Sequence, residues 1–416
     1  MTTRIQQKRQ FLVILIVVFL GFIGISMPYL IFPALFLNPD YSILPATFSS
    51  SSQVILLGIT LGAYPLGQFI GSPILGALSD DYGRKKLLAT SLAITGVCNL
   101  LTGFAIKWHN LELLIISRFI AGLMEGNIAI ARAMASDLKT ISKHKSFGNI
   151  NAAASIAFIL GPLLGGLLTD KSLLESLTTS TPFYFICVLF FALSILAAFI
   201  LKNSVIKTQI KVQTIWQRLN LIKKISLLFT NKRLQFLMIC STCFTLAVDI
   251  FYEFGPVYLT IKWGLGPSQL VFYNGILCLA LAIGNGWLPT FFSSRISNKK
   301  VILYSIGAFS IFLMGIILVN SNTFMMLLFG LCGLAIGLGA TFMTVNISNS
   351  VSDEIQGEVM GVQISLRVLG DALICIFGGA LLLLSPKLIL ILAAVISIAI
   401  MIYYAITTKK IINKPL

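Results

Sequence analysis

Gly76-Ala77-Leu78-Ser79-Asp80-Asp81-Tyr82-Gly83-Arg84-Lys85-Lys86 is a charged, glycine-bounded turn between two long apolar runs. The run before it covers about residues 53–79 and the run after it about 87–106. Each is long enough for a membrane span, which needs roughly 20 mainly apolar residues. Working outward, the same reading predicts twelve spans: about 11–35, 53–79, 87–106, 112–136, 148–168, 181–201, 234–259, 269–292, 301–319, 323–349, 359–384 and 388–407. The composition agrees: the chain is 57% hydrophobic and 11% charged, with a mean hydropathy of +0.95. Soluble domains carry about 25% charged residues, so a soluble enzyme is excluded. Strands of an outer-membrane barrel alternate apolar and polar over about 10 residues. These runs are longer and uniformly apolar, so they read as helices.

The net charge of +16 raises the question of nucleic acid, and its distribution answers it. With the N-terminus inside, 23 of the 30 Lys and Arg residues fall on cytoplasmic segments, and Lys107, Lys171, Lys262 and Lys387 alone fall on outside loops. That bias is the positive-inside rule, so no nucleic-acid partner is expected and both termini are expected in the cytoplasm. The N-terminal run from Phe11 to Leu35 is too long for a signal-peptide core and reads as a retained first span. Cys240-x-x-Cys243 has the spacing of a redox or zinc pair, but no second pair or nearby histidine accompanies it. It reads as small apolar residues in a helix, and no metal is expected.

The chain divides into two six-helix bundles, 1–202 and 234–416, joined by a basic cytoplasmic linker at 203–233. An internal repeat supports the division. A shift of 213 residues places Gly126 on Gly339, Gly148 on Gly361, and Gly165-Gly166 on Gly378-Gly379. A shift of 214 places Asp80 to Lys86 on Ser294 to Lys300, keeping the basic residues and losing the acid and the glycine.

Gly76, Leu78, Asp80, Gly83, Arg84 and Lys85 resemble the loop after the second span of major facilitator transporters; Asp81 stands where that pattern has an arginine. Arg118-Phe119-Ile120-Ala121-Gly122 resembles the R-x-x-x-G signature of the same superfamily. Gly148, Gly161, Pro162, Gly165 and Gly166 resemble the antiporter motif of its drug–proton exchangers, with Ala157 in place of a glycine. Asp137, ending the fourth span, has a counterpart in the tetracycline-type exporters. The resemblance is strongest over spans two to five. It implies an all-α membrane protein of twelve transmembrane helices, with two pseudo-symmetric bundles related by an axis normal to the membrane. It also implies a cytoplasmic gate in which Asp80 meets the helix beginning near Gly357 and Arg84 pairs with Asp137. Small residues permit close packing and a proline can kink a helix, so the antiporter-like segment is expected to form a pliable seam between halves.

Seven charged residues lie within the spans: Arg118, Glu125, Arg132, Asp249, Glu253, Arg367 and Asp371. Each costs at least about 2.5 kcal/mol by insertion scales, so these are the candidates for proton coupling or solute contact. Arg118, Glu125 and Arg132 are spaced by seven, which in a continuous helix puts all three on one face. Asp249 and Glu253 are four apart, as are Arg367 and Asp371. The exporters it resembles often carry an acid in span one; this chain has none there. The proton carrier is therefore sought in Glu125, Asp249, Glu253 or Asp371. Each charge also has a structural explanation, since Arg118 and Arg367 could simply neutralise buried acids. Phe244, Phe251, Tyr252 and Phe254 offer aromatic surface to a lipophilic cation, although aromatic stripes in membrane helices more often pack.

The reading is a monomeric inner-membrane secondary transporter moving a small organic solute by alternating access, surrounded by lipid. Proton-coupled efflux is preferred, with proton-coupled uptake of an anionic or zwitterionic metabolite or siderophore as the alternative. No P-loop is present, so the proton gradient is the expected energy source and no cofactor is expected. A membrane-embedded transferase would need an acidic metal-binding cluster such as D-D-x-x-D, and neither Asp80-Asp81 nor Asp353-Glu354 has one. The topology has a direct check. Green fluorescent protein fused after Leu416 should fluoresce in bacteria and alkaline phosphatase fused there should be inactive; the reverse pattern would overturn the orientation.

Overall fold

The computed structural model describes residues 2–45, 47–138, 143–202, 232–350 and 353–412. The predicted linker, 203–233, lies almost wholly outside them. The regular structure among the described residues is all helical, with no strand among them. In order, the helices are α1 (Thr2–Ser26), α2 (Pro28–Leu37), α3 (Ser50–Tyr82), α4 (Arg84–Lys107), α5 (Leu111–Leu123), α6 (Gly126–Asp137), α7 (Lys143–Leu167) and α8 (Thr181–Ile200). There follow α9 (Lys232–Trp263), α10 (Pro267–Ser293), α11 (Asn298–Leu318), α12 (Asn322–Ser348), α13 (Asp353–Leu384) and α14 (Pro386–Ile412). Among the described residues, 11 helical stretches are long and apolar enough to cross a membrane, α1 and α2 together forming one of them. The apolar part of α7, Ala152–Leu167, is shorter.

Two spans are interrupted. Pro28 follows the Met27 junction between α1 and α2 and lacks the amide hydrogen that a continuing helix would use. Predicted span four, 112–136, breaks at Met124–Glu125 into α5 and α6. There the amides of Glu125, Asn127 and Ile128 donate to carbonyls three residues back, those of Gly122, Met124 and Glu125. This is a 3₁₀-like turn, and such a turn inside a helix often marks a hinge or strain. The charged loop also differs from the turn expected from sequence. Residues up to Tyr82 continue α3, and the chain turns at Gly83 alone, whose φ of 95° suits glycine.

The helices fall into two compact units, α1–α8 and α9–α14, apart from the first two residues of α10. In the first unit α1 packs on α7, α4 on α8, and α3 on α5. In the second, α9 packs on α13 and α11 on α14. The α10–α12 contact matches the α3–α5 contact in kind. A Cβ on Gly67 would lie 2.2 Å from the Phe119 carbonyl oxygen, and one on Gly122 2.1 Å from that of Tyr64. A Cβ on Gly333 would lie 2.3 Å from the Leu277 carbonyl oxygen. Glycine lets backbones approach where lipid supplies no hydrophobic drive. Neither backbone can give way as a flexible side chain would. Gly67→Leu and Gly333→Leu should each cost about 1–3 kcal/mol or more and lower the melting temperature in detergent. Gly275→Ala, with nothing within 4 Å of its Cβ, should not.

Candidate functional site

The first unit gathers its buried charges around the α5–α6 break. Arg118 on α5 is 3% exposed, and Glu125 at the break is 2% exposed. They do not pair directly. The Tyr64 hydroxyl on α3 donates to Glu125 Oε2 at 2.5 Å. The Arg118 guanidinium lies over the Tyr64 ring, 4.5 Å from its centroid, and 5.7 Å from that of Phe32 on α2. Arg118 Nε and Glu125 Oε1 are buried and have no hydrogen-bond partner among the described residues. Arg132 follows on α6, half-buried, with its Nε likewise unpartnered.

Each step of a 3₁₀ turn rotates about 120° rather than about 100°, so the break shifts Glu125 and Arg132 only modestly relative to Arg118, and both arginines remain near the acid. Tyr64 was not among the residues singled out by sequence. A lone tyrosine in an apolar helix reads as packing, and only its place three residues before Gly67 hinted at close contact. Asn127, fully buried with both amide atoms unpartnered among the described residues, was missed for the same reason.

The second unit lays its polar groups along the α9–α13 contact. Arg367 grips Asp249 with two hydrogen bonds, Nε to Oδ2 at 3.0 Å and Nη2 to Oδ1 at 3.1 Å. One step along, Glu253 on α9 meets Asp371 and Cys375 on α13, with a donor atom of each within 4.8 Å of the others. These three could share one cation, and they form the one such set found among the described residues. In the other direction Gln363 donates to the Ser241 hydroxyl at 2.5 Å. Gly370 brings the helices together, since its Cβ would fall 2.2 Å from the Leu246 side chain. Ser241, Gln363 and Cys375 carry no charge, and their part was visible only once α9 and α13 were paired.

The aromatic residues of α9 separate into two groups. Phe244, Phe251 and Phe254 are buried, and the first two pack on Phe309 and Phe329 of the same unit. Tyr252 is half-buried.

Of the gate residues, Arg84 and Asp137 form an ion pair that ties the start of α4 to the end of α6. Gly76 has open space around it, Gly83 makes the turn, and Lys85 is half-buried. The side chain of Asp80 and the expected contact near Gly357 lie outside the described residues. In the antiporter-like segment of α7, Gly161 and Gly165 face the α1–α2 junction. Their Cβ atoms would lie 2.1 Å from Ser26 Oγ and 2.9 Å from the Met27 carbonyl oxygen. The contact they make is thus with the kinked first span, inside their own unit. Pro162 and Gly166 are buried beside them, and the surroundings of Gly148 lie outside the described residues.

The sequence model for the Major Facilitator Superfamily matches residues 14–292. The class H tetracycline resistance protein of Pasteurella multocida is 27% identical over 373 residues, covering 86% of this chain and 85% of that protein. Multidrug resistance protein 2 of Bacillus subtilis (strain 168) is 28% identical over 205 residues, 48% of this chain and 45% of that protein. The crystal structure of the nucleoside transporter NupG superposes with a TM-score of 0.72 at 16% identity, covering 96% of this chain and 99% of that one.

The Asp249–Arg367 pair is unequally exposed: the arginine side chain is 43% exposed and the aspartate 7%. Arg367→Gln strands a buried carboxylate, whereas Asp249→Asn leaves a guanidinium that is already partly exposed. Breaking a fully buried pair costs about 3–5 kcal/mol. Arg367→Gln should approach that figure and lower the melting temperature in detergent more than Asp249→Asn. Equal or reversed losses would contradict the order.

Proposed function

The chain belongs to the major facilitator superfamily and is a multi-pass membrane transporter rather than an enzyme, and on that premise we propose that it expels a small organic solute in exchange for protons. The observation that carries this reading is Glu125: a carboxyl group buried in a membrane bundle, bonded to a tyrosine and flanked by two arginines it does not grip. A carboxyl held this way can take or release a proton as alternating access makes or breaks its neighbours' contacts. The relatives named for tetracycline and multidrug resistance support efflux as the direction.

In this reading the protein is a monomer in the inner membrane with twelve spans and both termini in the cytoplasm, α7 supplying the fifth span. The proton gradient supplies the energy. The cytoplasmic side closes through Arg84, Asp137 and Asp80, and Gly161 and Gly165 let α7 slide on the α1–α2 kink. Within the spans the first unit holds two arginines against one acid, and the second holds three acids against one arginine. The second unit suits a cationic group or a further proton at Glu253 and Asp371. The arginine surplus of the first supports the alternative, proton-coupled uptake of an anionic or zwitterionic solute.

The test is transport in proteoliposomes with tetracycline, ethidium and citrate as probes. Efflux antiport predicts drug movement against a gradient with proton release, reduced at least ~10-fold in Glu125→Gln, a loss typical of removing a group that acts in proton transfer. Proton entry together with citrate would replace efflux by uptake. Coupling unchanged in Glu125→Gln would remove Glu125 as the carrier.

A further inference from the structure

We propose that Tyr64 is a positioning residue for coupling, holding Glu125 on its hydroxyl and apart from Arg118, so that the exchange of one partner for the other links proton movement to the α5–α6 break. The inference rests on the reading of Glu125 as proton carrier.

The geometry is specific. Tyr64 stands between a buried acid and a buried guanidinium and touches both, the acid through its hydroxyl at 2.5 Å and the guanidinium through its ring face at 4.5 Å. Once Glu125 is ionised, the two attract strongly in low-dielectric surroundings, and each keeps an unpartnered polar atom among the described residues, Glu125 Oε1 and Arg118 Nε. An unmade bond of this kind is costly in a buried site. The arrangement is therefore poised to change, and the spare atoms are those a direct Arg118–Glu125 pair would use.

The hinge for that change lies beside it. The turn at Met124–Glu125 has three-residue hydrogen bonds, and winding it back to α-helical bonding would rotate position 125 relative to 118 by roughly 20° for each step rewound. Both ends of the hinge are anchored on α3. Gly122 abuts the Tyr64 carbonyl, and Gly126 abuts Leu75, whose Cβ would be 2.5 Å from a Cβ on the glycine. Tyr64 thus fixes one end of the hinge through its backbone and the carboxyl through its side chain. The other titratable groups around this pair are Arg132 on α6, beside Glu125, and Cys98 on α4 and Tyr29 on α2, beside Arg118. The hydrogen bond to Glu125 comes from the hydroxyl of Tyr64, so that hydroxyl is the group to remove.

Tyr64→Phe keeps the ring beneath Arg118 and deletes only that hydroxyl. Two assays on the same proteoliposomes separate positioning from structure: tetracycline accumulation driven by a pH gradient, and gradient-free exchange of labelled for unlabelled tetracycline. Gradient-driven accumulation should fall roughly 10-fold, as for loss of a hydrogen bond to a charged group, with exchange kept within about twofold. The double variant Tyr64→Phe with Glu125→Gln should lose no more than Glu125→Gln alone, because the two act as one unit. Parallel loss of accumulation and exchange would make the hydroxyl merely structural and overturn the inference. Wild-type accumulation in Tyr64→Phe, with Glu125→Gln defective, would overturn it while leaving Glu125 as carrier. Wild-type accumulation in Glu125→Gln would remove the carrier reading and this inference with it.

Discussion

A charged side chain inside an apolar bundle must find its partner on a neighbouring helix, because lipid offers none. That requirement shapes both units of this chain, and each meets it differently. The second unit makes a conventional two-pronged ion pair between Asp249 and Arg367 and leaves two further carboxylates and a thiol in mutual reach. The first unit inserts an aromatic alcohol between its acid and its arginine, so that both are held without being joined.

Close backbone packing makes these arrangements possible. Gly67 and Gly122 bring α3 against α5 until a methyl group would strike a carbonyl, and this sets Tyr64 opposite Glu125. Gly370, between Arg367 and Asp371, makes room on α13 for the Leu246 side chain of α9. Small residues here do not confer looseness. They fix the distance at which polar side chains on adjacent helices meet, while the proline and 3₁₀ interruptions at Met27 and Met124–Glu125 supply the places where a helix can bend.

Much of this was legible in the residues. The apolar runs marked the helices because a membrane span must be long and nearly uncharged. The seven charges within the spans stood out because their cost demands a reason. The pattern Gly76 to Lys86, with Arg118 and Gly122, pointed to the family. Other features were misread for definite reasons. Residues 80–82 looked like part of a turn because of the Asp80-Asp81 pair, yet polarity does not break a helix and only Gly83 does so. The spacing of seven that joins Arg118, Glu125 and Arg132 presumes unbroken α-helical winding and gave no sign of the tighter turn that Gly122 and Gly126 bracket.

The sequence by itself determined that the chain is a helical membrane transporter and which ionisable residues lie within its spans. These follow from composition, from run length and from local motifs, all of which are read along the chain. Only the tertiary structure decided who partners whom. Tyr64 reaches Glu125 across 61 residues of chain, and Arg367 reaches Asp249 across 118. In helices that are apolar nearly all round, no hydrophobic stripe marks the face that will meet a neighbour. The rotation of each helix, and with it every polar contact, is fixed by interhelical packing alone.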